Sequence, residues 1–427
     1  MLDAPALRDD YYCSLLAYSH TLHCLAVGLG PHVYLWSESL VTSRTKLPDS
    51  LTVPHGSSHV TSLSFSSTSG DNAILAIGRA DGRITLWSPK DAEPRFDSQQ
   101  PSPVSHVCFR PTTNRRRSVR DASVYVHAEE LLVGDEVGNV YLYSIEWPDQ
   151  DQRDLWDWHG SMTLLARISC HTQQICGIAW SPDGALFATG GNDNALYLFE
   201  TNKILRPPRS TPNEAAIHVR SGSSAPLPGQ PQVLNITPGR ERHIFHLNAA
   251  CKALAFAPWQ PSLLAAGGGS NDRCIHFFHA LSGAKLATID CYGQVTSLVW
   301  NPVRKEIAAT FGFAQPEHAT RVAVFSWPSC ALVVGVPWWG EERALYAVLY
   351  HGSPSVRGGR TRHEEDGERR MVEGEAGSLV VATSDASIKF HEVWSQGTTG
   401  IGKMGRAALT SQILEGELEM ERAEVIR

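Results

Sequence analysis

Apolar positions in this chain fall in short runs separated by polar turns, and the runs recur as triplets. The clearest triplet is Ile175-Cys176-Gly177-Ile178-Ala179-Trp180, then Leu186-Phe187-Ala188-Thr189, then Leu196-Tyr197-Leu198-Phe199. Ser181-Pro182-Asp183-Gly184 separates the first two runs: proline presets φ and glycine takes a positive φ, which predicts a tight turn. Asn192-Asp193-Asn194 separates the second pair. Runs this short, bounded by such turns, predict β-strands. Three antiparallel strands cannot bury a core alone, so the pattern demands neighbours of the same kind.

The rest of the chain supplies them. Ser14-Leu15-Leu16-Ala17-Tyr18, Cys24-Leu25-Ala26-Val27-Gly28 and Val33-Tyr34-Leu35-Trp36 form one copy. Further copies lie at residues 59–87, 104–143, 252–278, 295–325 and 344–391. Each closes on a ring side chain: Trp36, Trp87, Tyr143, Phe199, Phe278, Phe325 and His391. Four of these stand six residues after an aspartate, namely Asp81, Asp193, Asp272 and Asp385. An aspartate there accepts backbone N–H groups within the turn and fixes strand register. Seven copies of one unit predict an all-β fold, a seven-bladed propeller of the WD-repeat kind spanning residues 1–395. No copy carries an intact Gly-His…Trp-Asp pair.

The copies are further apart than the about 40–45 residues of an unadorned blade. The excess sits near residues 112–130, 201–242 and 352–377, which are poor in apolar residues and read as long surface loops. The first carries Arg115-Arg116-Arg117, taken as solvated loop charge. Residues 396–427 read as a flexible Gly-rich and then helix-prone tail ending in Val425-Ile426-Arg427.

Composition narrows the function. Net charge −7 and pI near 6.2 argue against nucleic acid and acidic membrane surfaces as partners. No apolar run reaches the length of a membrane span, and the N-terminus lacks the apolar stretch of a signal peptide. The nine cysteines show no C-x2-C spacing and read as buried free thiols. No hydrolase, metalloprotease, phosphate-loop or EF-hand motif is present, and no ligand-spaced histidine cluster is evident. Gly267-Gly268-Gly269 ends a strand and opens no helix, so it reads as a close-packed blade turn. Asp9-Asp10 and Glu341-Glu342 read as neighbouring surface acids. The expectation is a rigid, non-enzymatic platform with no cofactor or metal, binding peptides on one face or between blades.

Several segments resemble the Fizzy family of anaphase-promoting-complex activators. They are Leu2-Asp3-Ala4-Pro5…Asp9-Asp10-Tyr11-Tyr12, Gly190-Gly191-Asn192-Asp193-Asn194, Gly267-Gly268-Gly269-Ser270-Asn271-Asp272-Arg273, Gln294-Val295 and the terminal Ile426-Arg427. The similarity runs through nearly the whole chain in the family's order, and the long insertions look like those of fungal meiosis-type members. It implies a substrate receptor for a ubiquitin ligase, present in nucleus and cytoplasm, that recruits cyclins and securin-like proteins. By that resemblance a KEN degron would meet Asp10 through its lysine, Asn192 and Asn194 through amides, and Ser270, Gln294 and Arg343, the last taking the degron glutamate. A destruction box (Arg-x-x-Leu) would meet Leu2 and Asp3, while Ala386 replaces the family's second acid, which predicts weaker or altered binding. Ile426 and Arg427 would dock on a TPR subunit of the ligase. The sequence starts at the propeller, where the family carries a C-box extension before it; the alternatives are a truncated sequence, or a WD-repeat scaffold or degron binder that does not activate the ligase.

Overall fold

The structure is a computed structural model describing residues 1–37, 58–206, 233–314, 317–351 and 377–394. Seven antiparallel sheets make seven blades. Their innermost strands are Leu16–Ser19, Val60–Phe65, Val104–Phe109, Ile175–Trp180, Cys251–Ala257, Gly293–Asn301 and Ala344–Tyr350. Each packs on the next, and the last packs back on the first, so the blades close into a ring. The seven triplets of the sequence pattern are these blades.

Blade spacing is set where second strands end. Gly78, Gly134 and Gly267 each lie against the first strand of the following blade. A Cβ on Gly134 would stand 2.7 Å from the Ile175 Cβ, and one on Gly267 would stand 2.4 Å from a Val295 methyl. Only glycine admits that approach. The reading of Gly267 as a packed blade turn is thereby met. Between blades lie apolar clusters such as Phe187, Trp180, Ile175 and Leu132, all less than a tenth exposed. Burying each such side chain contributes about 1.5–3 kcal/mol, so the ring is held mainly by blade-to-blade packing.

The N-terminal segment closes the ring. Leu2–Asp3 is the outer strand of the seventh blade, with Leu2 opposite Ile388 and Asp3 opposite Ser387. The Ala4 N–H donates to the Ala386 carbonyl at 2.9 Å, and the Gly30 N–H donates to the Ala6 carbonyl at 3.0 Å. One short segment thus bridges the seventh and first blades, with Ala4 and Leu7 buried as its anchors.

Three of the four turn aspartates accept backbone N–H groups as expected, while Asp385 accepts the Thr383 and Ser387 hydroxyls. Asp81, Asp193 and Asp272 each accept the backbone N–H two residues on, at 3.0, 3.2 and 3.3 Å. A fifth, Asp135, accepts from the Val137 and Asn139 N–H groups at 3.0 and 2.7 Å. It stands eight residues before Tyr143, a spacing the repeat pattern did not flag.

Two insertions differ from the loops expected. Residues 112–130 form a hairpin: Asn114–Arg117 pairs antiparallel with the start of the long strand Tyr125–Asp135. Low apolar content misled here, because the hairpin is held by carboxylates instead. Within 201–242, Thr201–Ile204 is a short helix, and Leu234–Ile236 adds as a parallel strand to the third blade's outer strand Ser161–Ser169. That insertion leaves the fourth blade and returns to brace the third. Nearly all of 352–377, and the tail from 395 on, lie outside the described residues. All nine cysteines are free, six of them buried.

Candidate functional site

The turns between second and third strands, and the connections between blades, crowd one face of the ring. Residues 8–13 cross it on their way from the clasp to the first inner strand. Asp10 is half-buried and accepts the Tyr12 N–H at 2.9 Å. Tyr12 donates its hydroxyl to the Asn192 amide oxygen at 2.9 Å, and Asn192 donates to the Gln173 amide oxygen at 2.9 Å. The chain's start is thus tied to its fourth blade.

The turn under Asn192 is rigid. Asp193 accepts from the Thr172 N–H at 2.9 Å and contacts His171 Nδ1 at 3.0 Å, while His171 Nε2 meets the Thr189 hydroxyl at 2.9 Å. Burial pushes the Asp193 carboxyl up, but the His171 and backbone hydrogen bonds outweigh it and hold the group below its usual range. The lock forces Asn194 to φ +63, a left-handed conformation that asparagine tolerates. Its side chain is exposed and makes no hydrogen bond among the described residues.

The fifth blade repeats the device. Asp272 accepts the Asn248 N–H at 2.9 Å and contacts His276 Nε2 at 2.7 Å. Ser270, at the tip, is exposed. Asp272, Cys274 and His276 bring one ligand atom each within 4.8 Å of one another, a set that the sequence reading missed because its period of two belongs to a strand face. The Asp272–His276 bond already closes it, so its role is the turn lock.

Gln294 is buried at the start of the sixth inner strand, and its amide oxygen accepts the Phe313 N–H at 3.5 Å. Phe313 is 57% exposed and lies under Arg343, whose guanidinium carbon is 4.3 Å from the ring centroid. Arg343 donates to Asp9 Oδ2 at 2.5 Å. The structure therefore joins Asp10, Asn192, Gln294 and Arg343 through Asp9, Tyr12 and Phe313. These three linkers the sequence reading did not assign, although Asp9 and Tyr12 stand inside the motif it quoted.

Beneath this face Lys252 is 3% exposed. Its ammonium donates to the Cys13 and Leu345 carbonyls at 2.8 and 3.1 Å, with the Tyr11 and Tyr346 rings 5.2 and 5.1 Å away. Burial lowers its pKa to about 8. Desolvation also lowers His106, on the third blade's inner strand, to about 3. The floor of the face is thus plugged by ordered side chains.

At the rim, Leu2 is half-buried, and Asp3 is exposed beside the Asp385–Ser387 turn. Asp385 contacts the Thr383 hydroxyl, accepts from the Ser387 hydroxyl at 2.8 Å and pairs with Lys389 at 3.5 Å, so it serves its own turn as expected. Ala386 occupies φ +59 and offers no side-chain charge. Ile426 and Arg427 lie outside the described residues.

The face offers an acid, a guanidinium and several amides. The fold is that of a WD-repeat propeller. Residues 162–200 match the WD domain, G-beta repeat family. The chain is similar to meiotic fizzy-related protein 2 of Schizosaccharomyces pombe, at 30% identity over 92% of this chain and 62% of that protein. It is similar to the meiosis-specific APC/C activator protein AMA1 of Saccharomyces cerevisiae, at 29% identity over 92% of this chain and 57% of that one. Among solved structures it resembles a chain of the mitotic checkpoint complex, with TM-score 0.61 and 26% identity over 91% of this chain and 89% of that one. Its homologues are thus Fizzy-type activators of the anaphase-promoting complex, fungal meiotic members included. The chain spans about three-fifths of the length of the curated relatives it matches.

Proposed function

We propose that this propeller is the substrate-recognition part of an anaphase-promoting-complex activator, binding degrons without performing catalysis. The observation that supports it best is the linked face. Asp10, Asn192 and Arg343, from three parts of the chain, are brought together by the Asp9, Tyr12 and Phe313 contacts. In this reading Asp10 takes the lysine of a Lys-Glu-Asn peptide and Arg343 takes its glutamate. Asn192, Asn194, Ser270 and Gln294 take the amides. The Asp9–Arg343 pair is partly exposed, and such pairs contribute only about 0–1 kcal/mol, so a peptide carboxylate can displace or share it. Leu2 and Asp3 form a second, rim site for the destruction box, with one acid where the family has two. Ile426 and Arg427 dock the protein on the ligase, and its substrates are nuclear and cytoplasmic cell-cycle proteins.

The test is fluorescence polarisation with a labelled Lys-Glu-Asn peptide and the full chain. Micromolar binding is expected, because so small a contact gives little more. The double variant Asn192→Ala/Arg343→Ala is expected to weaken it by tenfold or more, about 1.4 kcal/mol. Equal binding by the variant would remove the degron reading. Capture of the ligase complex, with and without Ile426 and Arg427, tests docking separately.

A further inference from the structure

The hairpin grafted on the third blade is built in two faces. Its inward side chains are fixed by buried carboxylates. Asn114 donates to Glu130 Oε1 at 2.7 Å, and Arg116 pairs with Glu146 at 3.0 Å, these two acids being 0% and 2% exposed. Ser118 and the Val119 N–H also donate to Glu146, at 2.8 and 2.7 Å. Strand alternation then sends Arg115 and Arg117 outward, opposite His127 and Tyr125. All four are exposed, and Glu129, the next residue along this face, is buried and held by the Ser67 hydroxyl.

Arg115, Arg117 and Arg120 pair with no carboxylate among the described residues, in a chain of net charge −7. They lie over aromatic rings instead. Arg115 and Arg117 sit 5.5 and 5.6 Å from the Tyr125 centroid, and Arg120 sits 5.1 Å from that of Trp156, which is itself 55% exposed. The neighbouring Asp121 turns to the Ser123 N–H and hydroxyl, at 2.9 and 2.6 Å. The nearby helix Gln150–Trp156 carries Asp151 and Asp154, the latter accepting from Gln150 at 2.9 Å. The far edge of Asn114–Arg117 pairs with no other strand among the described residues. Guanidiniums held on rings, beside an open strand edge, are pre-set for carboxylates arriving on an extended chain.

We propose that this hairpin is a docking site for an acidic peptide segment of a partner protein, which adds as a strand to the Asn114–Arg117 edge. Its glutamates or aspartates, two residues apart, pair with Arg115 and Arg117. This site is separate from the degron face and does not rest on it.

The probe is a fluorescein-labelled peptide of about eight residues alternating Glu and Thr, the span of one added strand. The full chain is expected to bind it, and to ignore the same peptide with Lys for Glu. Arg115→Glu/Arg117→Glu is expected to weaken binding by tenfold or more without lowering Tm, because neither side chain touches a buried group. N-methylation of alternate backbone amides of the peptide is expected to abolish binding, as strand addition needs those donors. Equal binding by the double variant, or by the Lys peptide, would overturn the proposal. So would an RNA oligonucleotide that binds more tightly through the same two arginines. Arg120→Glu, expected to weaken binding by a smaller factor, serves as a second variant should the first fail to fold.

Discussion

Ala386 is the residue where the chain departs most plainly from what its backbone asks. At φ +59 it holds a conformation that costs an L-residue with a Cβ roughly 1 kcal/mol, and that Gly, Asn or Asp adopts more readily. It also stands beside Asp3, across the strand pair that closes the ring. Ala386→Asp is therefore expected to leave thermal stability equal or slightly raised. It should also tighten a labelled Arg-x-x-Leu peptide by about tenfold, the scale of one added charge-assisted contact. Unchanged peptide affinity at unchanged Tm would mean that the rim does not read the degron arginine. The departure was legible in the sequence only through the family resemblance. The positive φ was not, because it depends on a turn locked by Thr383, Asp385 and Ser387.

At the scale of elements, the hairpin on the third blade shows how polar residues can order a segment. Glu129, at its root, is 2% exposed and accepts the Ser67 hydroxyl at 3.0 Å. Burial is the main cause that pushes its pKa up, from 4.5 to about 7, with the Ser67 hydrogen bonds opposing. The folded state therefore binds a proton that the unfolded chain releases. This contribution to stability is fully present below pH 4.5 and is lost as pH rises through 7. Glu129→Gln, which keeps the shape without the charge, is expected to be more stable than the parent by about 1–3 kcal/mol at pH 8. The difference should shrink toward zero near pH 4.5. Urea melts at the two pH values check this, and an equal difference at both would contradict it. His20 and His391, lowered by burial to about 4, destabilise parent and variant alike on acidification and cancel in the comparison.

Blades were legible because an inner strand such as Ile175–Trp180 is buried along its whole length and reads as nearly continuous apolar sequence. The hairpin was not. Its anchors are Asn114, Arg116 and Ser118, whose partners lie up to 30 residues away, from Arg116 to Glu146, and leave no local period. The parallel strand Leu234–Ile236 was hidden for the same reason, since its partner belongs to the preceding blade. Of the candidate face, the sequence offered residues by resemblance, but the contacts that join them could not be read. Tyr12 to Asn192 spans 180 positions, and Asp9 to Arg343 spans 334.

For the whole molecule, closure depends on few residues. Leu2–Asp3, the Ala4–Ala386 bond and the buried Ala4 and Leu7 join the last blade to the first. Removing residues 1–7 is expected to lower Tm and to broaden the melt, as the seventh blade loses its outer strand. Hydrogen exchange should rise first in Ser387–His391 and at Gly30, the two places that the segment bridges. Uniform exchange around the ring would instead mean that the six other blade interfaces carry closure alone. Because the same segment presents Asp9, Asp10 and Tyr12, the ring's latch and much of the proposed peptide grip are one piece of chain. Pulling on that end would shear off two paired residues before any whole blade had to unravel, and the grip would slacken while the rest of the ring stayed wound. Under traction from its N-terminal side the protein would behave as a mechanical fuse, loosening the proposed peptide site at a force well below the one that breaks the wheel.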